Sequence, residues 1–436
     1  MKRKIGNLFK GDKVVWMVFF MLCMISIVEV FSASSNLTYG SNNYIMPIIK
    51  HSMTIFLGLF VAILTLNVPC RYFKLFTPIL ICLSFFTLLW VLFAGETING
   101  ANRVVGLGAL TFQPSEIAKG TMVLASAQIL SAMQNEHGTT DKNAFRFILI
   151  LLIPMSILIG KENLSTAALL CLVIYLMMIL GRVPMVQLGK LLGVVTIAVS
   201  LFVGSIMLLG NDETTDNPNL TKTEEIQKND VEEVESQPMK LQRFGTWKKR
   251  IKKFLDNKPI APKDYDLDKD AQVAHANIAI VSSNIIGKGP GNSVERDFLS
   301  QAFSDFIYAI IIEEMGIVGA TIVVFLYIVL LFRAARIANR CENNFPAFLV
   351  MGLALLLVIQ AVFNMMVAVG LVPVTGQPLP LISKGGTSTV INCVYIGMIL
   401  SISRSAKRKT KELAADDYNQ EMVMKNAPKS SIISSI

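Results

Sequence analysis

Polar and ionisable side chains interrupt the apolar runs of this sequence in four short clusters. The first contains Arg103, followed by Gln113, Glu116 and Lys119. An arginine with a single carboxylate nearby in the sequence is a reasonable ligand for a phosphate. Glu116 and Lys119 stand three residues apart, so on a helix they would share one face and could neutralise each other. Two interpretations stay open: a buried ion pair that fixes helix packing, or part of a site for an anionic substrate.

A glycine-rich segment and three carboxylates form another cluster. The segment 287–293 contains Lys288, and Asp305, Glu313 and Glu314 follow it. Because the segment lacks the spacing of a nucleotide-binding phosphate loop, we predict a tight turn whose lysine could meet a lipid-borne phosphate. On a helix that opens at Asp305, Glu313 would lie about 12 Å deeper. Carboxylates at such depth are functional candidates, although Asp305 could equally be a helix N-cap.

Helix-breaking residues mark the last large cluster, which starts at Asn364 and continues through residues 373–388, including Ser383 and Lys384. Three prolines and three glycines lie within that stretch, in an apolar context. Irregular backbone among membrane-spanning segments is tolerated only where it is buried in protein or lines a cavity. The cluster therefore predicts a cavity without indicating its ligand. A smaller polar group at 161–166 is explained equally well by a helix cap at Ser165.

The elements that must position these clusters are membrane-spanning helices. Of the 436 residues, 53% are hydrophobic and 16% charged, against about 25% charged in an average soluble domain. Several apolar runs reach the roughly 20 residues that a bilayer-spanning helix needs, so a soluble globular class is excluded. The fold class predicted is all-α, a polytopic membrane protein with one large extracytoplasmic loop and ten transmembrane helices, near 13–33, 46–67, 73–94, 114–133, 146–160, 165–181, 189–209, 305–332, 346–370 and 383–403.

Charge sets the predicted orientation. Lysines and arginines flank the apolar runs on one face, which places residues 1–12 and the tail 404–436 in the cytoplasm. The same placement of the net charge of +9 argues against nucleic acid as a partner. Spans one to seven would occupy 13–209 and spans eight to ten 305–403, with the tail 404–436 disordered. The cysteines are spread singly and the histidines are scattered, so neither a disulfide framework nor a metal site is predicted.

The long loop between spans seven and eight, residues 210–304, would then lie outside. Its first part, 212–235, is strongly acidic and is predicted to be a mobile solvated segment. Residues 240–254 are basic and carry apolar side chains every three or four positions, the pattern of a helix lying in a membrane interface among lipids. A solvated charged loop is the alternative.

Taken in order, the motifs NGANR, QPSEIAK, GKGPGNS, SDFIYAIIIEEMG and PVTGQPLPLISKGGTS resemble the SEDS family of FtsW, RodA and SpoVE. The resemblance covers about residues 12–405. It implies a peptidoglycan glycosyltransferase in the bacterial inner membrane that polymerises lipid II on the outer face. The implied partners are a class B penicillin-binding protein and other divisome membrane proteins. The first and last motifs favour the division branch, FtsW, over the elongation branch, RodA.

The resemblance also implies roles for individual residues. Asp305 matches the essential aspartate of the family and would be the catalytic base. Lys288 and Lys384 could neutralise the pyrophosphate of the substrate, and a divalent cation such as Mg²⁺ or Mn²⁺ could share that role. With residues that match the family's motifs they form the predicted substrate site: Arg103, Gln113, Glu116, Lys119, Glu313, Glu314 and Ser383.

This sequence departs from the family pattern at a few positions. Val104 replaces a common tryptophan and Lys384 a common aromatic residue. Lys161-Glu162-Asn163 replaces a usual Glu-Pro-Asp, and His275 replaces a common glutamine. These changes leave Asp305 untouched.

Two other function classes fit the same helices. A lipid II flippase would also have broken helices and intramembrane charges, but a carrier is expected to place its site near the bilayer midplane. The polar clusters here fall at the predicted outer ends of the spans. A division scaffold without catalysis is the third possibility, and the sequence alone does not discriminate against it.

Overall fold

The computed structural model describes residues 9–33, 46–94, 96–98, 101–107, 110–135, 138–209, 267–299 and 302–426. Apolar segments rich in Leu, Ile, Val, Phe and Met form most of its helices. In chain order the α-helices are α1 Lys13–Ala33, α2 Met46–Asn67, α3 Cys70–Ala94, α4 Pro114–Ala132, α5 Lys142–Glu162, α6 Leu164–Leu180, α7 Met185–Leu209, α8 Leu267–Val281, α9 Ile307–Ala338, α10 Asn344–Ala368 and α11 Thr387–Asn426.

Each of the ten predicted spans overlaps one of these helices. Most ends differ by a few residues, but α9 continues to Ala338 and α11 to Asn426. Within the described residues, seven helices are long and apolar enough to cross a membrane: α1, α2, α3, α5, α9, α10 and α11. The chain is therefore a multi-pass membrane protein. Helix α4 carries Glu116 and Lys119 near its start, and α6 is only 17 residues long, so crossing by these helices stays a prediction.

A small antiparallel sheet between α3 and α4 is an addition to the predicted all-α fold. Its strands are β1 Glu96–Ile98, β2 Ala101–Leu107 and β3 Leu110–Phe112, in the order β1-β2-β3. Ile98 pairs with Ala101, and Leu107 pairs with Leu110. The Asn-Gly dipeptide between β1 and β2 is the sequence signal of a two-residue hairpin that the prediction overlooked.

The predicted outer loop is described only in part. The acidic segment 212–235 and the amphipathic helix at 240–254 lie outside the described residues. Helix α8 falls within the loop and was not predicted. At the other end of the chain, α11 continues through Asn426, so residues 404–426 are helical where the sequence predicted a disordered tail. This segment is rich in Lys, Glu and Ala, which are good helix formers.

Helices α1 and α9 run antiparallel and define the two ends of the bundle. Asp12, just before α1, contacts Arg333 near the end of α9. Ser32, at the other end of α1, contacts Glu314 near the start of α9. We call the first end the base and the second the site end. Ser401 of α11 donates a hydrogen bond to the carbonyl of Val68, which places the lower part of α11 at the base as well.

Candidate functional site

The segment before α9 is joined to the broken segment before α11. The Ser383 hydroxyl donates a 2.6 Å hydrogen bond to the carbonyl of Ser304 and accepts one of 2.7 Å from the Leu379 amide. The Lys384 amide donates to the carbonyl of Phe303 at 3.0 Å. The structure therefore brings the predicted cluster of Asp305 and the predicted cluster of residues 373–388 together.

Asp305 itself is partly exposed and is held through its backbone. The side-chain amide of Asn364 donates to the Asp305 carbonyl and to the Gln377 carbonyl, each at 2.8 Å. The Ser304 hydroxyl donates to Asp305 Oδ1 at 3.0 Å. Helix α9 begins at Ile307, and its N-cap, Phe306, makes no side-chain capping hydrogen bond. Asp305 lies before the cap, so the alternative interpretation of Asp305 as an N-cap finds no support in this geometry.

Two lysines lie on the Asp305 side of the bundle. Lys384 Nζ stands 4.9 Å from the ring centroid of Phe303, two residues from Asp305. Burial lowers the pKa of Lys384, and the positive charge of Lys50 on α2 lowers it further. Among the described residues no carboxylate pairs with either lysine. Two neighbouring cations without a counter-charge repel each other, and a bound anionic ligand would offset that repulsion. Sequence reasoning missed Lys50, which had no motif to mark it.

The predicted contact between Glu116 and Lys119 is present. Their charged atoms are 2.8 Å apart, and the two side chains are only 2% and 0% exposed. Lys119 Nζ also donates to Gln360 on α10 at 2.8 Å, and Gln360 donates to the Pro378 carbonyl at 3.1 Å. Because Gln377 precedes Pro378 and accepts from Asn364, a continuous network links the ion pair to the backbone of Asp305.

Two predicted residues flank that ion pair. Gln113 is the N-cap of α4 and is partly exposed, without a side-chain capping hydrogen bond, and Pro114 occupies the first turn as predicted. Arg103 falls on β2, but its side chain lies outside the described part of the chain. Its role as a phosphate ligand stays a prediction.

Glu313 and Glu314 are fully buried, and both accept hydrogen bonds from the glycine-rich segment. Glu313 Oε1 accepts from Lys288 Nζ at 2.6 Å and from the Val294 amide at 3.1 Å, and Oε2 accepts from the Ser293 hydroxyl. Glu314 accepts from the Ser293 and Gly291 amides at 3.2 and 3.0 Å. In this arrangement the predicted phosphate ligand Lys288 is already paired, and the two glutamates support the segment. Direct contact of these three residues with substrate stays a prediction.

A kink in α9 explains why the segment sits there. Gly316 has φ 68° and ψ −170° inside the helix, which frees backbone groups on both sides of it. The Glu313 and Glu314 carbonyls accept from the Lys288 and Gly289 amides at 3.0 and 2.8 Å. Outside partners thus replace the lost helical hydrogen bonds, as a buried helix interruption requires.

The small cluster at 161–166 also joins the network. The cap of α6 is Asn163, whose side chain accepts from the Ser165 and Thr166 amides at 3.0 and 3.4 Å; the predicted cap at Ser165 is wrong by two residues. Asn163 precedes the first helical residue, where the side-chain oxygen can reach those amides. Gln377 donates to the Thr166 hydroxyl at 2.5 Å, and Asn163 donates to the Thr375 carbonyl at 3.4 Å.

Several residues of this end had not been singled out. Gln360 lies four positions before Asn364, so both project from one face of the otherwise apolar α10; that spacing was a signal. Ser32 donates to Glu314 and accepts from Arg296 at 2.9 Å. Glu29, one turn before Ser32, is fully buried, and its carboxylate oxygens have no hydrogen-bond partner among the described residues.

A divalent cation would find few protein ligands here. Among the described residues, no group of three His, Cys, Asp or Glu side chains could hold a metal ion. Mg²⁺ in phosphate-handling sites takes one or two protein carboxylates and completes its shell with water and substrate phosphates. Asp305 is the one member of the predicted site that could serve in that way, so the cation stays a prediction.

These features define a polytopic α-helical membrane protein whose polar residues converge at one end of the bundle. A family model, that of the FtsW/RodA/SpoVE cell cycle proteins, matches residues 12–408. The chain belongs to this family.

Relatives and solved structures agree with that assignment. The probable peptidoglycan glycosyltransferase FtsW of Coxiella burnetii is 28% identical over 397 residues, which cover 89% of this chain and 95% of that protein. Its counterpart in Pseudomonas fluorescens is 27% identical over 408 residues, 91% of this chain and 90% of that protein. A chain of a peptidoglycan synthase complex has TM-score 0.65 and 23% identity, covering 91% of this chain and 98% of its own. RodA of Thermus thermophilus has TM-score 0.60 and 22% identity, covering 92% of this chain and 99% of its own. The two structures share the fold.

Proposed function

We propose that this chain is a peptidoglycan glycosyltransferase that polymerises lipid II during septal wall synthesis. Family membership over residues 12–408 and relatives named FtsW support the activity and the division role. The observation that carries the proposal is the position of Asp305. It is a partly exposed carboxylate at the mouth of α9, fixed by Asn364 and by the segment around Ser383.

The reaction requires a base and a stabilised leaving group. In lipid II the glycosyl bond to pyrophosphate is α, and in the glycan it is β, so one inverting displacement suffices. The 4-hydroxyl of the acceptor sugar loses its proton to the Asp305 carboxylate. Its oxygen forms the new bond to the donor C1, and the bond from C1 to the pyrophosphate oxygen breaks. A base within reach of that hydroxyl contributes about 10²- to 10⁴-fold.

The departing pyrophosphate gains negative charge and needs cations. Lys384 is close to Asp305 in the chain fold, and Lys50 is near enough to Lys384 to influence it electrostatically. Preorganised positive charge at a developing anion is usually the largest catalytic contribution. We assign Lys384 and Lys50 to the pyrophosphate, with Arg103 as a further candidate.

The buried residues around Asp305 serve a different purpose. Glu116 and Lys119 support the 375–380 segment through Gln360, and Glu313 and Glu314 support the segment 287–294. A shell of this kind holds reacting groups in position, and a displacement of about 1 Å can lower a rate by about 100-fold. We propose that these four residues position the site.

The finer topology belongs to the same proposal. Ten helices would cross the bacterial inner membrane with both termini in the cytoplasm, so that the site end faces outward. A class B penicillin-binding protein would crosslink the emerging strand. The solved chain of a peptidoglycan synthase complex, which shares this fold, comes from an assembly that combines polymerization and crosslinking.

The rival function is transport of lipid II. The decisive experiment incubates purified protein with lipid II in detergent, with and without a class B penicillin-binding protein, and examines the products for glycan polymer. A parallel assay follows translocation of fluorescent lipid II in vesicles. Polymer formation supports the proposal. Translocation without any polymer, in the presence of the partner, would overturn it in favour of the flippase.

A further inference from the structure

A basic cavity lies at the base of the bundle, at the opposite end from Asp305. It has a volume of about 270 Å³ and is formed where α1 begins and where α9 and α11 leave the apolar zone. The described residues that line it include three cations, Lys13, Arg333 and Arg340, and one carboxylate, Asp12. The excess of positive charge indicates an anionic ligand.

Arg333 is oriented before any ligand arrives. Asp12 accepts hydrogen bonds from Arg333 Nε at 2.9 and 2.8 Å, and Arg333 Nη2 lies 2.8 Å from Asp12 Oδ2. Asp12 is itself fixed, because its Oδ1 accepts from the Val14 amide at 2.9 Å. The pair engages one edge of the guanidinium, and no acceptor among the described residues contacts Nη1. A held guanidinium is a good phosphate ligand because little side-chain freedom remains to be lost.

The cavity wall also carries a hydroxyl. Ser403 of α11 lines the cavity, and the residue as a whole is 5% exposed. A hydroxyl can donate a hydrogen bond to a phosphate oxygen.

The position of the cavity indicates that the anion belongs to a lipid. The apolar part of α1 begins at Lys13, and the apolar part of α11 ends at Ala406. Both residues line the cavity. One turn above Lys13, on the same face of α1, Met17 is 50% exposed, and Met24 continues that face at 62%. Methionine side chains facing lipid would lie beside acyl chains whose headgroup reaches the cations.

We propose that this cavity binds the phosphate of an anionic phospholipid such as phosphatidylglycerol. Lys13 and Arg340 are exposed and approach the phosphate from the rim, whereas Arg333 and Ser403 contact it from within. Basic cavities between helices at a membrane boundary suit such headgroups. A bound lipid would join the start of α1 to the ends of α9 and α11.

Native mass spectrometry of the purified full chain tests the proposal. The protein is delipidated and titrated with phosphatidylglycerol or with phosphatidylcholine. The wild type should bind phosphatidylglycerol preferentially. Each surface cation contributes about fivefold to anionic lipid binding, so the variant Lys13→Gln/Arg340→Gln should bind it about 25-fold more weakly. The charge-conserving variant Lys13→Arg/Arg340→Lys should retain binding.

The matched control removes two exposed cations of α5, Lys142 and Arg146, which do not line the cavity. Lys142→Gln/Arg146→Gln should bind as the wild type does. An equal loss in both double variants would overturn the proposal, because it would reflect general surface charge. Displacement of the lipid by inorganic phosphate at equal concentration would also overturn it, because the cavity would then take a soluble anion.

Discussion

Gly287 and Gly316 meet backbone to backbone, and neither position has room for a side chain. A Cβ at Gly287 would lie 2.4 Å from the Gly316 nitrogen, and a Cβ at Gly316 would lie 2.5 Å from the Gly287 nitrogen. Both residues have positive φ, 84° and 68°. The contact lets the glycine-rich segment complete the hydrogen bonds that the kink in α9 breaks. It thereby holds the glycine-rich segment against the part of α9 that carries Glu313 and Glu314.

Gly287→Ala should therefore destabilise the site end strongly. The left-handed conformation costs about 1–2 kcal/mol, and the clash with the backbone should raise the total to about 3 kcal/mol or more. Thermal unfolding of the purified protein measures it. Gly291→Ala is the matched control, since Gly291 has φ 85° with open space around its Cβ position. Equal losses in the two variants would show that the close approach has no energetic importance.

The ion pair on α4 should behave as a buried pair. Lys119→Met leaves Glu116 buried without its partner and should lower stability by about 3–5 kcal/mol. Adding Glu116→Gln should restore most of that stability. If the pair only positions the site, the double variant should keep its KM for lipid II and lose no more than about tenfold in kcat. A large rise in KM with normal stability would instead indicate direct substrate contact.

Ser383 should matter for rate more than for binding. Ser383→Ala leaves the Ser304 carbonyl and the Leu379 amide without their partner, which should lower stability by about 1–3 kcal/mol. Asp305 would then be held less firmly in position, which should lower kcat by about 10- to 100-fold with little change in KM. Ser388→Ala is the control, because that hydroxyl is buried without a partner among the described residues. An equally small effect of both substitutions would argue against the positioning role.

The ion pair at the base predicts a pH dependence of stability. Burial raises the pKa of Asp12, but the hydrogen bonds from Arg333 and the Val14 amide, with the charge of Arg333, outweigh it, and the pKa lies below the ordinary 3.8. The stabilisation is therefore present above 3.8 and is lost as pH falls through the lower value of the folded state.

Asp12→Asn should accordingly cost about 2 kcal/mol at neutral pH. Its thermal melting point should approach that of the wild type in strong acid. Asp141→Asn serves as the control, since Asp141 caps α5 without an ion pair among the described residues. A difference between wild type and Asp12→Asn that stays constant across the pH range would refute this account.

Local signals account for what the sequence could predict. The length and apolarity of the spans, Pro114 in the first turn of α4 and the contact of Glu116 with Lys119 all depend on neighbours within a few residues. The contacts that assemble the site are not local. Lys119 and Gln360 are 241 residues apart in the chain, and Ser32 and Glu314 are 282 apart. Such pairs depend on how the helices pack, which no periodicity reveals.

Two features illustrate that limit. Lys288 is predicted to meet a phosphate from its place in a glycine-rich turn, and only the packing of α9 shows that Glu313 lies against it. Lys50 stands on α2 without a motif, and only the fold brings its charge near Lys384. Sequence spacing therefore does not predict charge contacts between segments that are far apart in the chain.

The central claim is that Asp305 removes the proton from the acceptor hydroxyl. Asp305→Asn preserves size and hydrogen-bonding capacity but removes the base, and the backbone contact with Asn364 should persist. The control Asp297→Asn alters a carboxylate eight residues earlier in the chain, on the 3-10 turn Glu295–Asp297. Polymerisation of lipid II by the purified proteins should fall about 10²- to 10⁴-fold in Asp305→Asn and stay near the wild-type rate in Asp297→Asn. A normal polymer yield from folded Asp305→Asn protein would contradict the mechanism.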